Sequence, residues 1–220
     1  MLYILYQIFR LFSEVFCVVK KIRKAFSGFS PYIQGHRDMF KCSVLVPLVE
    51  KDGKTHVLFE VRSKNLSVQP CEISFPGGGY EDADESFEDT AIRETCEELG
   101  LHREDVELFS PMDVFITPFD MIIHPFVGAI NYEKININRD EVDHVFLVPL
   151  DYLLSAEPQM YNANLDVSVP DDFPYHMIPQ GRDYKFKKAR YVLYFYRYEG
   201  YIIWGITAKI LKDFLDQLKE

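Results

Sequence analysis

The sequence is poor in cysteine, and its cysteines are not arranged for a zinc site or a disulfide framework. Among 220 residues there are four, Cys17, Cys42, Cys71 and Cys96. They form no C-x-x-C pair, and no histidine lies at zinc-finger spacing from them. Scattered thiols in a chain of this length are typical of a reducing compartment, so we predict a cytoplasmic location.

The sequence also lacks an uninterrupted apolar run long enough to span a bilayer. Leu2–Val19 is apolar, but Gln7, Arg10 and Glu14 interrupt it on one helical face. A cluster of four basic residues follows this run between positions 20 and 24, whereas a signal peptide has its charges first. We predict an N-terminal apolar and basic helix with a linker in residues 1–36, and a single main domain in residues 37–220.

Two interpretations of residues 1–24 stay open. The apolar face of this helix could pack on the main domain or on a second copy of the chain, giving a homodimer. Alternatively, the helix could rest on an anionic membrane surface as a peripheral contact, with its basic cluster at the headgroups.

Most of the chain has no net charge, and the excess of acidic residues lies in one segment. The whole sequence has 24 basic and 34 acidic residues, a net charge of −10. Residues 81–107 alone contain twelve acidic and two basic residues, which accounts for that entire excess. This distribution argues against a nucleic-acid binder driven by overall charge. An apolar content of 48% argues against a disordered chain.

Apolar periodicity predicts an α/β fold in which a mixed β-sheet is covered by helices. Cys42–Glu50 and Thr55–Arg62 flank an Asp-Gly turn and are typical of a β-hairpin. Further strands are predicted at Ile73–Phe75, Val106–Leu108, Met121–Asn131, His144–Val148, Tyr191–Tyr198 and Tyr201–Trp204. A capping box at Ser86 predicts a helix over Phe87–Leu99, and a second amphipathic helix ends the chain. The proline-containing segment Ala156–Lys188 is expected to be irregular.

Three glutamates on the first of these helices are candidate metal ligands. Glu94, Glu97 and Glu98 lie within about 100° of arc on one helical face. Like charges at this spacing repel each other, and a divalent cation would remove that cost. Carboxylates without a neighbouring thiolate or imidazole favour Mg²⁺ or Mn²⁺ over zinc. A solvated acidic face is the alternative, and helix geometry alone leaves both interpretations open.

The wider spacing resembles the 23-residue Nudix box, G-x5-E-x7-R-E-U-x-E-E-x-G-U. Gly79, Glu85 and the segment Arg93–Leu101 fill its fixed positions, with Thr95 where an aliphatic residue is usual. The resemblance implies a Nudix α/β/α sandwich, with the extra N-terminal helix added to it, and hydrolysis of a nucleoside diphosphate linked to another group. It further implies Mg²⁺ or Mn²⁺ held by the carboxylates of Glu94, Glu97 and Glu98, on a helix oriented by Glu85 and Arg93.

The other acids of the acidic segment, Glu81, Asp82, Asp84, Glu88 and Asp89, are expected to be solvated.

The sequence before the box resembles that of coenzyme A pyrophosphatases. Leu58–Ser63 and Gln69–Gly78 follow the pattern L-L-x-x-R-S and then P-G-E-[IV]-S-F-P-G-G, with Cys71 in place of a glycine. The resemblance extends from about Cys42 to the C-terminus. It implies hydrolysis of coenzyme A or its derivatives to 3′,5′-ADP and 4′-phosphopantetheine, or its acylated form. The implied substrate-binding residues are Arg62, Ser63, Gly77, Gly78 and Gly79.

Several alternatives stay open at this point. The general base is Glu98 or Glu141, which lies before a predicted strand. Basic and aromatic residues between Arg182 and Tyr191 bind the 3′-phosphate and adenine, or form a solvated strand edge. The chain could also act on ADP-ribose or NADH-type dinucleotides, or sense a nucleotide without catalysis.

Overall fold

The structure, a computed structural model, describes residues 18–219, and the chain divides into two units between Asp38 and Met39. In the first unit, residues 18–25 are helical, which confirms the additional N-terminal helix. The rest of the apolar segment predicted as a helix, residues 1–17, lies outside the described residues. Within residues 18–219, no helix has the length and apolar character needed to cross a membrane.

The second unit is built on an eight-stranded mixed sheet. Its strands are β1 Phe40–Lys51, β2 Lys54–Arg62, β3 Ile73–Ser74, β4 Gly77–Gly79, β5 Val106–Pro111, β6 Phe115–Ile116, β7 Met121–Ile130 and β8 Val142–Pro149. The order runs β3-β2-β1-β7-β5, with β4 on β1, β6 on β7 and β8 on β2. β1 and β7 are parallel, and the other pairs are antiparallel, so the predicted mixed sheet is confirmed.

The tight turn between β1 and β2 follows from its two central residues. Asp52 and Gly53 both have positive φ, 52° and 72°. Two consecutive positive φ angles give a turn whose twist matches that of the flanking strands. The predicted hairpin is therefore confirmed, with its register running from Lys51 opposite Lys54 to Leu48 opposite Val57.

A second, three-stranded antiparallel sheet contains β9 Gln159–Leu165, β10 Ala189–Tyr198 and β11 Tyr201–Trp204. The expectation that Ala156–Lys188 is irregular is wrong for β9, which pairs along its length with β10. The β9 sequence QMYNANL is mostly exposed and lacks an apolar face. Its strand structure therefore depends on a distant partner in sequence, which local periodicity does not reveal.

Helices cover both faces of the large sheet. They are α1 Phe87–Leu99, α2 Leu150–Ser155 and α3 Gly205–Gln217. On one face, Leu45 and Leu58 pack with α1, and on the other, Val57 and Phe59 pack with α3. Because side chains alternate along a strand, Glu60 of β2 follows Leu58 onto the α1 face. The result is the expected α/β/α sandwich, with helix α1 and Glu60 on the same side of the sheet.

Candidate active site

Local signals define both ends of helix α1. The Ser86 side chain accepts a hydrogen bond from the Asp89 N–H, and Gly100 adopts φ 64° at the C-terminal end. Ala91 and Leu99 are fully buried in the core beneath the sheet. Thr95 is also fully buried, and its hydroxyl donates to the Ala91 carbonyl at 2.7 Å. This bond satisfies the polar group that departs from the box pattern.

The three box glutamates occupy different environments on this helix. Glu98 is buried, and its Oε2 accepts a hydrogen bond of 2.8 Å from the Gly77 N–H. Glu94 is partly buried and accepts from Arg93 Nη1 at 2.9 Å. Glu97 is half exposed and contacts the same nitrogen at 3.2 Å. Arg93 thus bridges two of the glutamates, while Glu98 faces the glycine loop.

Arg93 is anchored to Asp84 rather than to Glu85. Its Nε and Nη2 donate to the two oxygens of Asp84 at 2.9 and 3.1 Å, and Nη2 also donates to the Gly79 carbonyl at 3.0 Å. The Thr90 hydroxyl adds a third donor to Asp84 at 2.9 Å. The prediction that Asp84 is solvated is wrong, because its side chain is only 5% exposed. Glu85 is exposed, and its orienting role stays a prediction.

The Arg93 contacts control the charge state of Asp84. The guanidinium holds the pKa of the Asp84 carboxyl well below its usual range, chiefly through these hydrogen bonds. The same contacts raise the pKa of Arg93 further. Both groups are therefore charged, and their ion pair connects the middle of α1 to the loop before it.

The glycine loop approaches the helix too closely for larger residues. A Cβ on Gly77 would lie 2.3 Å from the Ser43 carbonyl oxygen, because β4 pairs with β1 there. A Cβ on Gly78 would lie 2.4 Å from the carboxyl carbon of Glu94. These two glycines therefore let the backbone approach both the sheet and the acidic helix face. Gly79 is less constrained, since its nearest neighbour is the Phe40 ring.

A further buried acid, Glu60 on β2, lies near the box glutamates. It is 1% exposed, and its Oε1 accepts a hydrogen bond of 2.8 Å from the Ser74 hydroxyl. Its other oxygen, Oε2, is buried without a hydrogen-bond partner. Sequence reasoning missed Glu60, although a lone acid in the apolar strand sequence VLFEVR was the signal that could have identified it.

Burial shifts the proton affinity of this acidic cluster. It raises the pKa of Glu60 to about 7, despite the opposing effects of Ser74 and Arg62. Burial also raises the pKa of Glu98 well above its usual value, and the charge of Glu60 adds to this rise. The pKa of Glu94 is raised by burial too, against the lowering effect of Arg93. Three carboxylates thus share one poorly solvated, negatively charged environment.

Backbone hydrogen bonds bring Glu141 to the same region. The Ser63 N–H donates to the Glu141 carbonyl at 2.8 Å, and the Asn138 N–H donates to the Glu98 carbonyl at 2.9 Å. The loop before β8 is thereby tied both to the end of β2 and to the last turn of α1. The charge of Glu141 contributes to the raised pKa values of Glu60 and Glu94.

Two groups predicted to bind substrate lie at the end of β2. The Nε of Arg62 is buried without a hydrogen-bond partner, and Ser63 is buried. The loop that follows is closed on Arg62 by two backbone bonds, from its N–H to the Glu72 carbonyl and from the Cys71 N–H to its carbonyl. Cys71 has φ 62°, a left-handed conformation that favours glycine, so the turn forms around the thiol-bearing residue.

The basic segment 182–190 lies in and after the loop that joins β9 to β10, and its basic side chains are exposed. Two of these basic residues already have partners within the loop between β9 and β10. The Arg182 guanidinium lies 5.1 Å from the centre of the Tyr175 ring, and Lys188 contacts Asp166 at 3.0 Å. These contacts are typical of a solvated surface, and a role in binding phosphate or adenine stays a prediction.

The donor set at the acidic cluster fits a hard divalent cation. Every candidate ligand is a carboxylate oxygen, and Glu60 Oε2 is buried with no donor to satisfy it. Among the described residues, no group of three or more His, Cys, Asp or Glu side chains is arranged to hold a metal ion. Part of the reason is that Glu94 and Glu97 both contact the Arg93 guanidinium, so two of the candidate carboxylates are already paired with a positive charge.

Comparison with known proteins agrees with this geometry. The NUDIX domain profile matches residues 39–168. The mouse (Mus musculus) peroxisomal coenzyme A diphosphatase NUDT7 is 36% identical over 176 residues, which cover 80% of this chain and 69% of the relative. The human (Homo sapiens) mitochondrial coenzyme A diphosphatase NUDT8 is 31% identical over 180 residues, covering 80% and 68%. A MutT/nudix family protein from Enterococcus faecalis superposes with a TM-score of 0.50 at 14% identity, over 92% of this chain and 70% of that protein.

A helix with an acidic face beneath a mixed sheet, next to a tight glycine loop, defines a hydrolase of the pyrophosphohydrolase class. The profile match and the identity to the mouse relative show the family. The chain belongs to the Nudix hydrolases, as the box over Gly79–Leu101 implied. Nudix hydrolases generally use divalent metal ions.

Proposed function

We propose that this Nudix hydrolase cleaves the pyrophosphate bond of coenzyme A or its derivatives, giving 3′,5′-ADP and 4′-phosphopantetheine or acyl-phosphopantetheine. The observation that carries the substrate class is 36% identity to a coenzyme A diphosphatase over 80% of the chain. The pattern at Leu58–Ser63 and Gln69–Gly78, which matches the coenzyme A pyrophosphatase motif, supports the same assignment.

The proposed metal ion is Mg²⁺ or Mn²⁺, held by Glu94, Glu97 and Glu98. When bound, it supplies positive charge that offsets the pyrophosphate and lowers the pKa of a water molecule. Engagement of Glu94 and Glu97 in this role requires their contacts with Arg93 to open. Arg93 then keeps its contacts with Asp84, so the helix remains anchored while its carboxylates turn.

The residues of the chain perform the remaining steps. Arg62 binds a phosphate oxygen, and Ser63 with the N–H groups of Gly77–Gly79 lines the approach to the helix. A carboxylate oxygen of Glu98 or Glu141 accepts the proton of the attacking water. The water oxygen bonds to one phosphorus, and the bridging P–O bond breaks, leaving a phosphate group on each product.

A substrate panel tests the proposed activity. The full chain with Mg²⁺ or Mn²⁺ is incubated with coenzyme A, acyl-coenzyme A, oxidised coenzyme A, ADP-ribose and NADH, and products are identified by mass spectrometry. Release of 3′,5′-ADP from the coenzyme A compounds at a kcat/KM well above that for ADP-ribose supports the proposal. Preferred cleavage of ADP-ribose or NADH favours a dinucleotide pyrophosphatase, and binding without cleavage favours a nucleotide sensor.

Three Glu→Gln variants test the metal ligands and the base. Glu97→Gln should abolish turnover while leaving the fold intact, because Glu97 is half exposed and makes no core contact. Glu98→Gln and Glu141→Gln are then compared: the variant that loses the fall in rate on the acidic limb of the pH profile identifies the base.

The two-domain organisation, with residues 1–36 preceding the Nudix domain in 37–220, is part of the same proposal. We infer that residues 1–24 contact a membrane surface or a second copy of the chain, in the cytoplasm. Flotation with vesicles containing anionic lipid, repeated after replacing Lys20, Lys21, Arg23 and Lys24 with Gln, tests the membrane contact. Light scattering of the full chain tests the dimer.

A further inference from the structure

Glu60 is a buried carboxylate outside the Nudix box, with one oxygen left unsatisfied. Ser74 donates to Oε1, whereas Oε2 is buried and has no hydrogen-bond partner. A buried carboxylate oxygen without a donor carries a large desolvation cost, so such atoms in folded proteins usually have a ligand. No donor among residues 18–219 satisfies Oε2, which points to a cation from outside the chain.

The position of Glu60 places this oxygen beside the metal-binding helix. Glu60 lies on the α1 face of β2, and in the β2–β3 register it is opposite Ser74. Ser74 lies three residues before Gly77, whose N–H binds Glu98 Oε2. Glu60 and Glu98 therefore contact the two ends of the same short segment.

The hydrogen bonds of the described residues do not join Arg62 to Glu60 or Glu98. Arg62 lies two residues after Glu60 on β2, and its Nε is itself buried without a hydrogen-bond partner among the described residues. Glu60 and Glu98 are 1% and 4% exposed, so water does not screen the repulsion between them. Two buried carboxylates of like charge, with one unsatisfied oxygen, are a site that a divalent cation would stabilise.

We propose that Glu60 supplies Oε2 as a further ligand of the divalent metal ion that Glu98 helps to hold, while Ser74 fixes the other oxygen. The inference rests on the proposed function only in taking Glu98 as a metal ligand. It adds a ligand from strand β2 to a site otherwise built from helix α1. Ser74 is then a positioning residue, because it acts through Glu60 and does not touch the metal.

Mn²⁺ binding to the full chain, without substrate, tests this ligand. Free Mn²⁺ is followed by electron paramagnetic resonance during titration of the wild type and of Glu60→Gln. Gln keeps the shape and the oxygen that accepts from Ser74, but it removes the anionic ligand. We expect the dissociation constant of the tightest Mn²⁺ site to rise about tenfold or more. Ser74→Ala should give a smaller rise, since it frees the carboxylate without removing it.

The matched control is Glu107→Gln, which makes the same charge change at an exposed position on β5. It should bind Mn²⁺ as the wild type does. Thermal unfolding in EDTA gives a second readout: Glu60→Gln should melt no lower than the wild type, because it removes a buried negative charge. Mn²⁺ should raise its melting temperature less than that of the wild type.

The outcomes separate this inference from the proposed function. If Glu60→Gln binds Mn²⁺ as tightly as the wild type and the wild type cleaves coenzyme A, Glu60 is not a metal ligand, and the proposed function still stands. If Glu60→Gln binds Mn²⁺ more weakly but the wild type cleaves no coenzyme A, Glu60 is supported as a metal ligand and the proposed substrate is rejected. If Glu60→Gln does not fold, Ser74→Ala replaces it in the test. A Mn²⁺-induced rise in melting temperature equal to that of the wild type would then contradict the assignment of Glu60 as a ligand.

Discussion

Arg93 and Asp84 form a two-point ion pair, with Nε–Oδ1 and Nη2–Oδ2 distances of 2.9 and 3.1 Å. The same guanidinium reaches the Gly79 carbonyl, so one side chain links helix α1, the loop before it and the glycine loop. Its remaining nitrogen, Nη1, contacts Glu94 and Glu97. The geometry of the glutamates therefore depends on an acid that lies outside the fixed positions of the box.

Removing this acid should damage both the fold and the activity. Asp84→Asn takes away the charge that Arg93 binds, and we expect a loss of about 2 kcal/mol in the free energy of unfolding, measured in urea. We also expect kcat to fall at least about tenfold, because the carboxylates lose their anchor. Glu85→Gln is the control and should change stability by less than about 0.5 kcal/mol. A larger stability loss for Glu85→Gln than for Asp84→Asn would contradict the assignment.

Two adjacent glycines should separate stability from catalysis. In Gly77→Ala the new Cβ meets the Ser43 backbone, which moves only with the sheet, so we expect destabilisation by about 2–4 kcal/mol. In Gly78→Ala the Cβ meets the Glu94 carboxyl, the far end of a flexible side chain. That variant should unfold near the wild-type midpoint but lose most of its turnover. Similar unfolding midpoints for the two variants would argue against the backbone clash.

Replacing Cys71, whose backbone is in the left-handed conformation, with glycine should stabilise the chain. A side chain at φ 62° costs about 1 kcal/mol, and Cys71→Gly removes it at an exposed turn. We expect stabilisation by about 0.5–1 kcal/mol, measured by urea unfolding under reducing conditions. Cys71→Val, whose β-branched side chain disfavours this conformation further, should destabilise the chain. If glycine destabilises the chain instead, the thiol makes a contribution beyond the turn.

The stability of the metal-free chain should fall as pH rises from about 4 to about 7. An unfolded glutamate loses its proton near pH 4.3, whereas burial raises the pKa of folded Glu60 to about 7. Between these values the folded state binds more protons, so the free energy of unfolding declines with pH and levels off above 7. Glu60 alone accounts for a change on the order of 3 kcal/mol.

Urea unfolding in EDTA at pH 5 and pH 8 measures this effect. The stability of Glu60→Gln should decline less between the two pH values than that of the wild type, because its amide does not titrate. Glu98 and Glu94, whose pKa values are also raised, account for the decline that remains. Asp84 does not interfere, since its lowered pKa means that its stabilising contribution is constant above about pH 4 and is lost only below that pH. An identical decline in both proteins would show that Glu60 does not hold a proton in the folded state.

Local signals in the sequence predicted a large part of the fold. The Ser86 cap and Gly100 give the bounds of the acidic helix, and the Asp-Gly pair gives the first hairpin. These features depend on hydrogen bonds and dihedral angles within a few residues, which the sequence specifies directly. Strand β9 could not be predicted in this way, because its polar sequence becomes a strand only by pairing with β10, 24 positions or more along the chain.

By itself, the sequence determined the Nudix box, and with it the family, because the box is a pattern of residue types at fixed spacing along one helix. The tertiary structure alone decided which acids are buried and what they contact. It made Asp84, an acid outside the fixed positions of the box, the partner of Arg93, and it brought Glu60 of strand β2 close enough to the box glutamates for its charge to act on Glu98. Burial and long-range proximity set the proton affinity of a carboxylate, and both depend on how the sheet and helix pack.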